Sequence, residues 1–174
     1  MTTTSDATAT VQVYRVYIKA TPEAIWDAIT KPEWTEKYGY GGRAEYDLRP
    51  GGGYRVAATE AMVAQGAEMG FGVPEVMVDG EVVESEPPRR LVQTWRLLMM
   101  PPETAEEGFT RLTWEIEAIP GGATKLTVTH DLMGAPNTAA LVSGARESEG
   151  AGGGWSWILS DLKSLLETGK PLAG

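Results

Sequence analysis

The chain contains one histidine, His130, and the residues around it place it on an apolar strand face. Leu126, Val128 and His130 alternate with Lys125 and Thr127, and residues two apart in a strand share a face. Here an imidazole could act as a general acid or base, or as a polar anchor for a ligand. It could equally be a core histidine with one hydrogen-bond partner, and both interpretations stay open.

Other reactive groups are scarce. The sequence has no cysteine, so it can form neither a disulfide nor a thiolate. With a single histidine, a zinc site would need carboxylates that no motif supplies, and we expect neither a metal nor a cofactor. The glycines at 51–53 join two strands and lack the ending of a phosphate loop. Those at 150–154 precede a helix and could present free amides to an anion, although a simple turn explains them as well.

The sequence is rich in large aromatic residues, with six Trp and six Tyr. A single helix cannot fill a strongly curved sheet, and the remaining gap would suit an apolar or aromatic ligand. We expect the following residues to line that gap together with His130: Trp26, Trp34, Tyr38, Trp95, Trp114, Trp155 and Leu159. Met62, Met69 and Met99 lie in two long connections and could form an adaptable lid.

The overall composition argues against several partners. The net charge is −9, and the fifteen Lys and Arg are scattered, which does not suit a nucleic-acid phosphate backbone. No apolar stretch approaches the roughly 18 residues of a membrane span, and residues 1–10 do not resemble a secretory signal. We therefore expect a cytoplasmic protein with a disordered tail at 1–10 and a single domain at 11–174.

The elements that would position these side chains can be predicted from local patterns. Residues 11–19 are typical of a first strand, Thr21 and Pro22 begin a helix, and Pro32 ends it before a second short helix. Strands are predicted near 43–48, 54–58, 76–85, 90–99, 111–118 and 124–132. Residues 59–75, 101–108 and 137–154 read as connections, the first weakly helical and the last with one helical turn. An amphipathic helix follows, ended by Gly169 and Pro171.

This order indicates an α+β fold in which six to seven antiparallel strands curve around a long C-terminal helix. Between 11 and 172 the sequence also resembles the START-like (Bet v 1-like, SRPBCC) superfamily, and within it the activator of Hsp90 ATPase group. The resemblance rests on residues 18–26, 47–52, 80–84, 87–92, 94–95 and 124–130 and on the terminal helix. It implies the helix-grip fold, with two short helices after the first strand and a cavity between sheet and last helix.

Three hypotheses about function follow. The first is binding of an apolar or aromatic small molecule in that cavity, in a stress-response role. The second is an enzyme of the cyclase or dehydratase type that uses His130 with a nearby carboxylate. The third is a protein-interaction module like an Hsp90 co-chaperone, although only the resemblance, and no separate sequence feature, points to Hsp90. Trp157 lies off the apolar stripe of the helix, and if exposed it would mark a homodimer surface.

Overall fold

The computed structural model describes residues 11–70, 72–99, 102–149 and 152–172, so the predicted tail at 1–10 lies outside the described residues. The elements are β1 (Val11–Ile18), α1 (Pro22–Thr30), α2 (Pro32–Thr35), β2 (Arg43–Tyr46), β3 (Gly53–Ala57), α3 (Glu60–Glu68), β4 (Val76–Glu86), β5 (Arg90–Leu97), α4 (Pro102–Glu106), β6 (Thr110–Ala118), β7 (Thr124–Asp131), α5 (Pro136–Val142), a 3-10 turn (Glu147–Glu149) and α6 (Gly154–Thr168).

The strands form one seven-stranded antiparallel sheet in the order β1-β7-β6-β5-β4-β3-β2. The strands β2 to β7 pair in sequence order, and β1 pairs with β7 and forms one edge of the sheet. The helix α6 packs against one face of this sheet and runs next to β1. The predicted α+β class with a helix-grip arrangement is therefore confirmed.

Two irregularities bend the sheet. The pairing register shifts between Val56 and Ala57 and again between Val82 and Glu84, and such bulges increase the local twist. Between them, a Cβ on Gly80 would lie 2.0 Å from the carbonyl oxygen of Thr94. Only glycine therefore allows β4 to approach β5 this closely, which shapes the sheet around the site described below.

The helix boundaries follow the predicted signals. The Ala24 amide donates to Thr21 Oγ1, Pro22 occupies the first turn of α1, and Trp26 and Ile29 are among its buried residues. Gly169 ends α6 with a left-handed φ of 83°. The buried apolar residues of α6 recur at helical spacing, as the sequence predicts: Trp155, Leu159, Leu162 and Leu165.

Three segments predicted as connections contain helices, which the sequence indicates weakly for the first and as one turn for the last. Residues 59–75 hold α3, whose first turn is capped because the Met62 amide donates to Thr59 Oγ1. Residues 101–108 hold α4, and residues 137–154 begin within α5. The helices α4 and α5 are short. The backbone amides at the start of α5 donate to the Glu107 carboxylate, so the group that caps this helix is remote in sequence and a local pattern could not reveal it.

The inner face of the sheet is the face turned toward α6. Residues paired across antiparallel strands share a face, and the register defines two adjacent rows on it. One row joins Ser85, Leu91, Trp114, Val128 and Tyr14. The other joins Val82, Gln93, Leu112, His130 and Gln12. The alternation predicted for β6 and β7 is thus present, and it directs Leu112 and His130 into the interior, where Gln93 of β5 shares their row.

Candidate functional site

Four rings meet beneath α6, and we call them the aromatic cluster: Trp95, Trp114, His130 and Trp155. The Trp95 and His130 ring centroids are 5.0 Å apart, and those of Trp114 and Trp155 are 5.4 Å apart, both edge to face. His130 and Trp155 are 6.0 Å apart in a similar geometry. All four side chains are buried. Three strands and one helix thus bring together residues that are up to 60 positions apart in the chain.

His130 has a hydrogen-bond partner on each ring nitrogen. The Trp155 indole N–H donates to Nδ1 over 3.1 Å, and an indole N–H can only donate. The proton of the neutral ring therefore resides on Nε2, which lies 2.7 Å from Thr110 Oγ1. The Thr110 hydroxyl in turn donates to the Trp95 carbonyl over 2.8 Å. This chain of donors selects one tautomer of His130.

Burial lowers the pKa of His130 from 6.5 to about 3. The partners of this imidazole among the described residues are Thr110 and Trp155, and neither carries a charge that would stabilise a protonated ring. His130 is therefore neutral at physiological pH. A general acid or base works best with a pKa near the operating pH, so this environment suits a structural or ligand-orienting histidine better than proton transfer.

Gln93 is the central polar residue of the same interior. Its Oε1 accepts a hydrogen bond from Trp114 Nε1 over 3.1 Å and another from the Tyr46 hydroxyl over 2.7 Å. Its Nε2 is buried and has no acceptor. Gln93 and Trp95 are two residues apart on β5, so the sequence shows only that they share a strand face. It could not show that one end of the Gln93 amide is hydrogen-bonded and the other is not, because the partner Tyr46 lies 47 residues away in the chain.

Three tyrosines extend this interior toward α1. The Tyr46 and Tyr54 ring centroids are 4.5 Å apart, and the Tyr38 hydroxyl donates to the Ala28 carbonyl over 2.8 Å. Burial is the main cause that raises the pKa of each phenol above its usual 10.0, so all three remain neutral. Of the three, only Tyr38 had been predicted, because Tyr46 and Tyr54 read simply as strand residues.

The other predicted lining residues lie around this centre. Trp26 and Leu159 are buried in the same core. Trp34 is only half-buried and lies at its margin, where the Lys37 ammonium is 4.7 Å from its ring centroid. Among the predicted lid residues, Met62 and Met99 are half-buried and pack against the core, whereas Met69 is 66% exposed. Met69 thus points to solvent at the end of α3.

Two grooves in the described part of the chain could hold a small molecule. One has a volume of about 510 Å³ and is lined in part by Glu45, Arg55 and Asp79. The other has a volume of about 680 Å³ and is lined in part by Arg90 and Lys125. Neither is lined by any member of the aromatic cluster. The four rings contact one another in the region where the sequence predicts a cavity.

The start of α6 has partners of its own. The Gly154 amide donates to the Tyr40 hydroxyl over 2.9 Å, which occupies one of the amides considered for an anion. Trp157 is half-buried, and its Cβ would lie 2.9 Å from a Cβ placed on Gly153. Trp157 therefore faces the glycine turn.

Within the described residues, no group of three or more His, Cys, Asp or Glu side chains is placed to hold a metal ion. The same residues include no helix that is long and apolar enough to cross a membrane.

A curved antiparallel sheet that wraps an aromatic interior beneath a C-terminal helix defines the class of helix-grip domains. Within that class, the chain belongs to the family of activator of Hsp90 ATPase homolog 1-like proteins, whose model matches residues 19–167. Among curated proteins none matches the sequence.

Several solved structures share the fold. Protein MLL2253 from Mesorhizobium loti is 22% identical, with a TM-score of 0.62 over 90% of this chain and 96% of that one. The Aha1 dimer from Colwellia psychrerythraea is 21% identical, with a TM-score of 0.56 over 92% and 98%. DynU16, a protein of the dynemicin biosynthetic locus, is 23% identical, with a TM-score of 0.60 over 93% of this chain and 49% of that one. At these identities the likeness concerns the fold alone.

Proposed function

We propose that the protein binds an apolar, ring-containing small molecule between the inner face of the sheet and α6. The observation that carries this proposal is the aromatic cluster, in which three indoles and an imidazole meet edge to face. Offset and edge-to-face geometries are the ones that aromatic ligands adopt with protein rings. A flat ligand could replace contacts between these rings with contacts of the same kind.

A ligand would enter where the covering is thinnest. The helix α3 connects β3 to β4, and its only buried residue is Gly66. Met62 from α3 and Met99 after β5 pack against the edge of the core. Thioether side chains adapt their shape readily, so these two can part without breaking a polar contact. Entry then requires α3 to move and the rings below it to separate.

The enzyme hypothesis has less support from the same geometry. Both nitrogens of His130 are engaged, by Thr110 and Trp155, and its pKa is about 3. A cyclase or dehydratase would need that ring, or another group, to carry a proton at neutral pH. We therefore assign His130 the role of orienting Trp155 and Trp95 within the binding site.

The test is a thermal-shift screen of the purified protein with fatty acids, flavonoids, polyketide-like aromatics and sterols. A ligand present at 100 times its Kd stabilises the fold by about 2.7 kcal/mol, which raises the Tm by several degrees. Two matched variants locate the site. We expect Trp114→Phe to weaken binding about fivefold, since it removes ring area from the cluster, and Trp34→Phe to leave it unchanged.

A flat response across the panel would contradict the proposal. It would favour the protein-interaction hypothesis, for which a pull-down with the host's Hsp90 is the direct assay. A ligand whose binding responds equally to both tryptophan variants would show that it binds elsewhere.

The homodimer predicted through Trp157 is a separate proposal. Its support is the relative from Colwellia psychrerythraea, which is described as a dimer. Trp157 is half-buried against the glycine turn, so only its outer edge could meet a second copy. Light scattering after size exclusion should then show a dimer that Trp157→Ala converts to monomer and Trp34→Ala does not. A monomeric native protein would refute this interface.

A further inference from the structure

We propose that the side-chain amide of Gln93 is the recognition donor of this site, and that it selects ring ligands that carry a carbonyl oxygen. The inference rests on the proposed binding function and specifies its ligand class. It comes from the hydrogen bonds inside the sheet rather than from the rings around them.

The orientation of the Gln93 amide is determined by its neighbours. Trp114 Nε1 can only donate, and it lies 3.1 Å from Gln93 Oε1. Reversing the amide would set two N–H donors against each other. The Tyr46 hydroxyl is 2.7 Å from the same oxygen and is also satisfied by this arrangement. The carbonyl end of Gln93 is thus saturated, and the NH₂ end must face the remaining interior.

In the described part of the chain that NH₂ end has no partner at hydrogen-bond distance, although the Gln93 amide is near enough to the Tyr54 hydroxyl to oppose the rise in the pKa of that phenol. Gln93 is 0% exposed, and Nε2 is one of two buried side-chain polar atoms without a hydrogen-bond partner in the described part of the chain. Buried donors nearly always have a hydrogen-bond partner, because a buried donor without one loses its hydrogen bonds to water and gains none within the protein. An unpaired donor held in a defined direction inside an aromatic site is what an incoming acceptor requires.

The second such atom lies on the same face. Ser85 Oγ is also buried and unpartnered, and Ser85 pairs with Leu91, which pairs with Trp114. Leu91 and Gln93 are two residues apart on β5, which separates their rows by about 7 Å. The two unpartnered polar atoms therefore lie in the adjacent rows that hold Trp114 and His130. A fused-ring ligand with a carbonyl toward Gln93 and a second polar group toward Ser85 fits this pattern.

The experiment compares two probes that differ only at the carbonyl. Fluorene and 9-fluorenone share one ring system, and only the second can accept a hydrogen bond. Quenching of tryptophan fluorescence gives a Kd for each. We expect the native protein to bind 9-fluorenone about fivefold more tightly, the ratio of a typical net hydrogen bond.

Two glutamine variants provide the control. Gln93→Met removes the amide donor and introduces no carboxyl group, which would be protonated in this buried site and could itself donate, so the preference for 9-fluorenone should disappear. Gln65→Met makes the same change on the exposed surface of α3 and should retain it. If Gln93→Met does not fold, the native protein still gives an answer by NMR. The Gln93 NH₂ proton signals should shift with 9-fluorenone and remain in place with fluorene.

The outcomes separate the two proposals. Equal affinity for both probes, with no movement of the Gln93 signals, would overturn the role of Gln93 and leave the binding function standing. If neither probe binds the native protein, the proposed function fails and this inference fails with it.

Discussion

At the scale of single residues, His130 shows how packing determines chemistry. The sequence identifies it as the only histidine and places it on an apolar face, which left a catalytic and a structural role open. Its partners, Thr110 and Trp155, are 20 and 25 residues away and could not be assigned from local pattern. Once they are known, the neutral tautomer and the low pKa both follow.

The pKa of His130 leads to a pH prediction. Its folded value of about 3 lies below its unfolded value of 6.5, so the unfolded chain binds more protons between these limits. The corresponding stability is complete above pH 6.5 and is lost progressively as the pH falls toward 3. In NMR titrations the folded imidazole should show no midpoint between pH 8 and about 5, whereas the chain in urea should titrate near its ordinary value.

Because the protein has a single histidine, the imidazole signals need no assignment by mutation. A folded-state midpoint near 6.5 would mean that His130 is solvated, and the hydrogen-bond chain described here would be wrong.

At the scale of elements, the short helix α5 depends on a carboxylate from another part of the chain. Glu107 accepts four hydrogen bonds, from the backbone N–H groups of Asn137 and Thr138 and from both of their side chains. Burial alone would raise the pKa of the Glu107 carboxyl, but these hydrogen bonds outweigh it and the pKa is lowered. The sequence indicates only one helical turn in this segment, because the residue that caps α5 lies 30 residues upstream.

Glu107→Gln should lower the free energy of unfolding by about 1 to 3 kcal/mol, since one oxygen is replaced by a donor that faces other donors. Urea unfolding at pH 7 measures the loss. The neighbouring Glu106→Gln is the matched control, and because Glu106 is exposed its change should stay within about 0.5 kcal/mol.

The deficit of Glu107→Gln should also depend on pH. The folded pKa of Glu107 lies below 4.5, so its contribution is present above that pH and is lost as the pH falls through the folded value. A deficit that is the same at pH 7 and under strongly acidic conditions would exclude a charge-dependent cap.

The last helix is held by a second buried carboxylate. Asp161 is 2% exposed, and its two oxygens accept hydrogen bonds from the amides of Gly39 and Leu172. It therefore ties the turn before β2 and the residues after α6 to one point on the helix. The sequence predicted the apolar stripe of α6 because its period is local, but a polar residue within that helix gave no sign of these remote amides.

Asp161→Asn should cost about 1 to 3 kcal/mol of folding free energy, because one amide then faces a donor in a buried site. Ser160→Ala changes the adjacent exposed position and should have little effect. Both are read from chemical denaturation. Equal stability of the two variants would indicate that the Asp161 contacts are not maintained in solution.

At the scale of the whole molecule, the antiparallel sheet and the long last helix were predictable because alternation, turns and caps all agreed, and the family resemblance implied that the sheet wraps around that helix. The packing of the interior was less predictable from the sequence. The predicted lining residues Trp95, Trp114, His130 and Trp155 meet each other, and their rings are in edge-to-face contact where the sequence predicts a gap. Alternation identifies which residues point inward, but the volume they leave depends on the packing of all of them together.

The proposed entrance gives a prediction about dynamics. Since α3 buries only Gly66, it should open at a lower free energy cost than the central strands. In hydrogen exchange followed by mass spectrometry, peptides from α3 should exchange well before those from β6 and β7. Protection of α3 equal to that of the central strands would rule out its role as the lid.

The most direct test of the central claim is a titration of the methionine methyl groups by NMR with 9-fluorenone as the probe. Met62 and Met99 pack against the edge of the interior, whereas Met133 is 64% exposed and serves as the control. Binding between the sheet and α6 should shift the Met62 and Met99 methyl signals along a common saturation curve and leave Met133 unchanged. Binding that leaves the Met62 and Met99 methyls in place would contradict an interior ligand site.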